Sequence, residues 1–324
     1  MSDHLAIAPV DSLTVRRPLE DAARAYVRAS KSENTLRTYR SDLHDFEAWC
    51  TDQVVAPLPA TPQTVSLYIS ALAELNVKPS TIQRRLSAIS QAHQLAGHTP
   101  SPTGDWLVRT TMQGIRRTLG TAPSQKTPVV TAELRRLLVT CPDDTLAGLR
   151  DRALLIVGFA GGSRRSELVA LDVADLQESS DGVRITVRQS KTDQEGAGRE
   201  VGIPHGQHPE TCPARALRAW REAAGISEGA VFRGVNRHDQ IQDGRLTDRA
   251  VALIVKRAAE RAGFDPSTYA GHSLRAGLAT AAAAGGAPER SIMRQTGHKS
   301  VVMVRRYIRS GSLFQENAAA YVGL

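Results

Sequence analysis

Nine consecutive residues, Gly120-Thr121-Ala122-Pro123-Ser124-Gln125-Lys126-Thr127-Pro128, carry no apolar period and separate two stretches whose patterns require different architectures. Before them, from Ser30 to Cys50, apolar residues fall at Leu36, Tyr39, Leu43, Phe46 and Trp49, the three-to-four spacing of one buried helix face. Val65 to Leu75, Ser80 to Leu95 (with Ile82, Leu86 and Ile89 on one face) and Asp105 to Leu119 are patterned alike. Such a chain buries its apolar stripes only helix against helix, so 16–119 reads as an all-helical domain and 120–130 as a linker. Beyond it the pattern is mixed. Thr131 reads as the N-cap of a helix carrying Leu134, Leu137 and Leu138, and a second helix runs from Leu146 to Ala160 until Gly161-Gly162 stops it. Val183, Ile185 and Val187 alternate, as do Val201 and Ile203, which predicts a hairpin with Lys191 near its tip. Helical patterns resume from Pro213 to the C-terminus, broken at Gly263, Gly285-Gly286 and Gly311. The expected fold is mainly α with a small β-hairpin or sheet (α+β): the helical domain, a mixed domain over 131–310, and a tail helix over 311–324.

Charge narrows the partner. The 324 residues hold 41 Lys+Arg against 33 Asp+Glu, a net charge of +8, so a polyanion is expected. Five Phe, three Trp and six Tyr cannot furnish both the cores and a base-stacking platform, which disfavours a single-strand binder and leaves duplex contacts through Arg and Lys. Cys50, Cys141 and Cys212 are odd in number and widely spaced, against a disulfide framework and for a reducing, cytosolic setting. The first ten residues lack the basic and apolar regions of a signal peptide, and the uncharged run Ala153 to Ser163 is well short of the roughly 18 apolar residues of a membrane span. No membrane partner is expected. His205, His208 and Cys212 superficially resemble metal ligands, but zinc wants a fourth, and Cys212-Pro213-Ala214-Arg215 reads better as a helix start. No metal and no other cofactor is expected.

From Arg290 to Ser310 the chain carries Arg290, Arg294, Lys299, Arg305, Arg306 and Arg309 and no acid. A solvated helix face usually mixes signs, so an unpartnered cationic run leans toward a phosphate-bearing partner. Within it Val301, Val304 and Ile308 form one face, with Tyr307 at its margin. Gly161-Gly162-Ser163-Arg164-Arg165-Ser166-Glu167-Leu168 places an arginine at a helix start; Gly271-His272-Ser273-Leu274-Arg275 sets a His and an Arg three apart; Thr296-Gly297-His298-Lys299-Ser300 adds a His nine residues before Tyr307.

With these parts and Lys191 in this order, the chain resembles the tyrosine recombinase (phage integrase) family. Within the family it resembles the Cre-like branch, to which Ala276-Gly277 after Arg275 points. Ser32-Glu33-Asn34-Thr35 through Trp49-Cys50, and Thr81-Ile82-Gln83, resemble the family's core-binding domain. One departure is Ser163, where a bulky aliphatic residue is common. The resemblance implies an active site of Arg164, Lys191, His272, Arg275, His298 and Tyr307. It implies a site-specific recombinase that cleaves and rejoins duplex DNA through a 3′-phosphotyrosine, without metal or ATP.

The chemistry suits these residue types. A phosphodiester repels nucleophiles and has a poor leaving group, so a metal-free site needs cationic clamps and a proton donor. In this scheme Arg164 and Arg275 fork onto the non-bridging oxygens, Lys191 protonates the leaving 5′ oxygen, and His272 serves as base or relay for the Tyr307 hydroxyl. His298 donates to the same phosphate. Glu167 is either a brace for the site or a dipole-compensating acid. A type IB-like DNA relaxase and a non-enzymatic DNA-binding regulator derived from an integrase are the alternatives. Expected partners are double-stranded DNA with inverted-repeat half-sites and further copies of the chain, as dimer and tetramer on DNA. The expected location is cytoplasmic and nucleoid-associated, in a bacterium or on a mobile element. Arg249 is the expected reader of a guanine, by Cre-like resemblance; Arg116 and Arg117 suit phosphates, and Arg84 and Arg85 are further expected DNA contacts. In the tail, Phe314, Ala318, Tyr321 and Val322 form one apolar face that the Cre-like resemblance would insert into a neighbouring protomer.

Overall fold

The computed structural model describes residues 29–122, 125–190, 193 and 196–311, together with 19, 21–23 and 25–27. Lys191 and the expected docking face of the tail lie outside the described residues. The chain divides into two compact units, Met1–Ser124 and Gln125–Leu324.

The first unit contains helices α1 (Glu33–Asp52), α2 (Pro62–Glu74), α3 (Pro79–Leu95) and α4 (Trp106–Leu119). Their starts are written locally: the side chains of Ser32, Thr61 and Asp105 accept from the exposed N–H groups of Thr35, Thr64 and Leu107. Phe46, Tyr68, Ile69, Ile82, Ile89, Val108 and Met112 meet in one core, as their helical spacing requires. Asp42 is buried at its edge and binds the guanidinium of Arg84, while Arg85 reaches Asp45 and donates to the Tyr68 hydroxyl at 2.8 Å. These two arginines, expected as DNA contacts, are thus tied into ion pairs inside the unit.

The second unit holds α5 (Thr131–Val139), α6 (Leu146–Ala160), α7 (Arg165–Ala170), β1 (Leu176–Ser179), β2 (Gly182–Val187), β3 (Arg199–Pro204) and α8 (Pro213–Ala223). After these come β4 (Arg233–Val235), β5 (Ile241–Arg245), α9 (Asp248–Arg261), α10 (Ser273–Ala284), α11 (Glu289–Thr296) and α12 (Val301–Gly311). The strands make an antiparallel sheet in the order β1-β2-β3 and a two-stranded β4-β5 ribbon, so the fold is mainly helical with two small sheets, as expected. In the β2-β3 hairpin Val183 faces Ile203 and Ile185 faces Val201, which puts the alternating apolar residues on one buried face.

Three details differ from the sequence reading. Val130, not Thr131, is the N-cap of α5, because the Glu133 carboxylate accepts from the Val130 N–H at 3.0 Å and so closes the turn one residue earlier. The β4-β5 ribbon falls where helical patterns were expected; its strands are short and mostly polar, so they carry no alternation to detect. On α12, Val304 is fully buried while Val301 remains 37% exposed.

Helix α6 is central. Ala153, Leu154, Leu155, Ile156 and Val157 are all buried, and the helix packs on α8 and α10. Among the described residues no helix is long and apolar enough to cross a membrane. Helix α10 is pinned by the segment leaving the linker: Thr127 and Val129 donate their N–H groups to Thr268 and Ser273 carbonyls, both at 2.9 Å. Gly277 permits this approach, since a Cβ there would lie 1.8 Å from the Val129 carbonyl oxygen. Gly277→Ala is therefore expected to lower stability by about 1–3 kcal/mol through overpacking against backbone. Urea unfolding checks this; an unchanged midpoint would show that the segment yields without cost.

Candidate active site

Arg275 stands in the first turn of α10 with its side chain fully buried. A guanidinium removed from water needs acceptors, and two main-chain carbonyls supply them. Its Nη1 donates to the Gly162 carbonyl at 2.7 Å and to the Thr296 carbonyl, so one nitrogen fastens the turn after α6 and the end of α11. Gly162 sits in the left-handed region (φ +56), where a Cβ would press on Leu278 and Thr296, so the Gly161-Gly162 pair is dictated by the turn that presents this carbonyl. The Nε and Nη2 of Arg275 are buried without a hydrogen-bond partner among the described residues. Burial, then the charge of Arg164, pulls this guanidinium down to about 10, which leaves it cationic at neutral pH.

Arg164 is the N-cap of α7. Its backbone N–H donates to one Glu167 oxygen at 3.0 Å and its Nη1 to the other at 2.5 Å, so the carboxylate caps the helix and holds the guanidinium at once. Glu167 is buried, and this double contact favours the brace over the dipole reading. Ser163 is buried too; it follows the tight turn, with Gly161 close to its Oγ, so the small residue suits the space.

Tyr307, on α12, is half-buried, positioned with Val304 and Ile308 against Ala279 and Ala283 of α10. Its hydroxyl lies 3.0 Å from Nε2 of His272, the N-cap of α10. One helix start, with His272 and Arg275 three residues apart, thus brings an imidazole to the tyrosine hydroxyl and a buried cation near enough to feel its charge. The His298 ring is 5.8 Å from the Tyr307 ring, centre to centre. Thr296 gives its hydroxyl proton to the Ile292 carbonyl at 2.6 Å, so it accepts from Nδ1–H of His298 at 2.7 Å. That fixes the neutral tautomer, with the lone pair on Nε2. Donation from Nε2 to a phosphate then takes a second proton, which the phosphate's own charge favours.

Five of the six residues expected from the sequence gather here; the sixth, Lys191, lies outside the described residues, in the β2-β3 connection. Arg249 is exposed near the start of α9, and Arg116 and Arg117 are exposed on the last turn of α4, where Arg116 donates to Gln83 at 2.8 Å. His205 and Cys212 approach each other at 3.9 Å, and no cluster of three metal-ligating side chains occurs among the described residues. Two site residues escaped the sequence reading. Arg199, at the start of β3, donates to Glu167 at 3.2 Å, and Gln295 donates to the Ala160 and Gly202 carbonyls at 2.8 and 3.0 Å. A signal existed for Arg199: it shares the buried face of β3 with Val201 and Ile203, a cation at an inward position.

The sequence profile of the phage integrase family matches residues 129–312, and that of the phage integrase N-terminal SAM-like domain matches residues 25–98. An integrase/recombinase xerD homolog of Selenomonas ruminantium is 43% identical over 309 residues, covering 95% of this chain and 88% of that one. A tyrosine recombinase XerC of Xanthomonas campestris is 28% identical over 298 residues, covering 90% and 82%. Among solved structures, a lambda integrase (75-356) dimer bound to a COC' core site shares the fold with a TM-score of 0.62 at 17% identity, over 90% of this chain and 94% of that one. A Tn1549 transposon integrase in complex with a circular intermediate DNA does so with 0.61 at 17%, over 88% and 92%. The relatives of the XerC and XerD kind correct the expected nearness to the Cre-like branch. Ala276-Gly277, which pointed there, has a packing cause instead: Gly277 clears the Val129 backbone. The guanine-reading role of Arg249 loses the ground it rested on.

Electrostatics of the cluster yields a pH test. Burial, then the charges of Arg275, Arg164, His272 and Arg199, pushes His298 from 6.5 down to about 3. The unfolded chain therefore binds this proton first as pH falls, and the folded state loses stability from about pH 6.5 downward, flattening near 3. His298→Gln removes that dependence. Between pH 7 and 5, wild type should lose on the order of 1 kcal/mol more than the variant after solvent screening. Urea unfolding at both pH values measures it, and equal losses would refute the depressed histidine.

Proposed function

Because this chain belongs to the phage integrase family, the tyrosine recombinases, and is a site-specific recombinase that cuts and rejoins DNA through a phosphotyrosine, we propose that Tyr307 is its nucleophile. The observation that carries this assignment is the Tyr307 hydroxyl, 3.0 Å from His272 Nε2 and close enough to act on the charge of Arg275, whose Nε and Nη2 are buried with no hydrogen-bond partner among the described residues. Phenol is a poor nucleophile until its proton leaves. His272 takes that proton as the phenolate oxygen attacks phosphorus; the 5′ oxygen departs with a proton from Lys191; the product is a 3′-phosphotyrosyl bond. This bond keeps the energy of the broken linkage, so a 5′ hydroxyl can reverse the step and reseal a strand without ATP. Arg164, Arg275 and cationic His298 neutralise the second negative charge that the pentacoordinate phosphorus gains.

The partner is double-stranded DNA with paired half-sites, bound by dimers that assemble into a tetramer. The lambda integrase neighbour is a dimer on a core site and the Tn1549 integrase holds a circular intermediate DNA, which supports assembly on DNA as the working state. In this reading the helical domain over 16–119 and the catalytic domain over 131–310 both contact the duplex. Exposed Arg116 and Arg117 neutralise phosphates. Relatives named as recombinases, and the presence of every catalytic residue type, favour strand exchange over simple relaxation or a purely regulatory role.

Tyr307→Phe keeps the ring and removes the attacking oxygen, so it should abolish the detergent-resistant protein–DNA adduct on a nicked suicide substrate while leaving DNA affinity within about twofold. Arg275→Ala should slow adduct formation by about 10²–10³. Neither step should respond to EDTA. An adduct of wild-type yield from Tyr307→Phe would end the assignment.

A further inference from the structure

Arg199 enters the site from a third direction. It opens β3 opposite Val187, with its side chain 21% exposed and turned toward the sheet's buried face. Its Nη2 donates to Glu167 Oε2 and its Nη1 to the Gln295 carbonyl, both at 3.2 Å. The guanidinium packs closely on Gly297: a Cβ at that position would stand 2.7 Å from Nε and 3.0 Å from Cζ. Gly297 is the left-handed cap of α11 (φ +65), and the next residue is His298. One planar fork thus links the carboxylate that holds Arg164 to the turn that presents His298. Burial works against its charge and Glu167 supports it, so the contact is held by geometry rather than by solvent.

We propose that Arg199 is a positioning residue for strand cleavage, fixing Arg164 through Glu167 and His298 through Gln295 and Gly297. The inference rests on the phosphotyrosine chemistry proposed above and extends it. Glu167 is drawn by two guanidinium groups at once; without Arg199 the carboxylate turns wholly to Arg164 and takes it from the phosphate. Charge points the same way. Arg164, Arg199 and Arg275 outnumber the lone Glu167 carboxylate, and this net positive cluster favours the pentacoordinate phosphorus (−2) over the ground-state diester (−1). Loss of Arg199 should therefore fall on the cleavage rate and spare binding.

The test uses the full chain and a nicked suicide substrate at saturating concentration, with half-site affinity measured separately. Arg199→Ala should form adduct about 100-fold more slowly with affinity within threefold, and millimolar guanidinium chloride should restore at least fivefold of that rate without accelerating wild type. Arg199→Lys keeps one ion pair but cannot bridge to Gln295, so it should fold and run about tenfold slow. Gly297→Ala, which displaces the guanidinium, should give a defect that does not multiply with that of Arg199→Ala. Cleavage by Arg199→Ala within threefold of wild type, or equal losses of cleavage and binding, would overturn the proposal. Should Arg199→Ala not fold, a wild-type rate from Arg199→Lys overturns it instead. Absence of adduct from wild type would strike the phosphotyrosine reading and not this one.

Discussion

Burying the guanidinium of Arg275 is the constraint around which the second unit is arranged. A buried cation without acceptors costs several kcal/mol, and here the acceptors are the carbonyls of Gly162 and Thr296, from segments far apart in the chain. To reach them, α6 must end in a left-handed glycine turn, α11 must end beside it, and α10 must start between the two. Three of the clustered side chains hang on those three ends: Arg164 follows the first, His298 follows the second, and His272 heads the third. The linker segment at Val129 then locks α10 from behind.

The cluster concentrates positive charge where little water reaches. Arg164, Arg199 and Arg275 surround a single buried carboxylate, Glu167, and burial, reinforced by their field, keeps His298 neutral down to about pH 3. In the proposed reaction an incoming phosphate relieves the electrostatic tension of such a site, most of all when it carries its extra charge in the transition state. Tyr307 completes it from α12, whose hold on α10 comes through Val304, so the Tyr307 hydroxyl and Arg275 are referenced to one helix.

Much of this was legible in the sequence because helix periods and short motifs are local. The face Leu36-Tyr39-Leu43-Phe46-Trp49, the hairpin strands and the ordered Arg, His-x-x-Arg, Gly-His and Tyr elements all correspond to features that neighbouring residues determine. What escaped depends on distant partners. The ion pairs that Arg84 and Arg85, expected as DNA contacts, make inside the unit depend on Asp42 and Asp45 some forty positions away in sequence. Arg199 belongs to the site only through Glu167 and the α11 end, which no spacing rule connects. The branch assignment failed for a related reason: Ala276-Gly277 looked like a lineage mark and is a close backbone packing.

In the proposed reaction this cationic pocket activates one hydroxyl, that of Tyr307, toward a DNA phosphate. Peptide mapping of the wild-type covalent complex tests it most directly: trap the adduct on a suicide substrate, digest the DNA and the protein, and locate the nucleotide mass by tandem mass spectrometry. The expected result is a phosphodiester-linked nucleotide on Tyr307, within the tryptic peptide Tyr307-Ile308-Arg309 or its missed-cleavage forms. A nucleotide on any other residue, or a cleaved strand with no covalent protein attached, would contradict it.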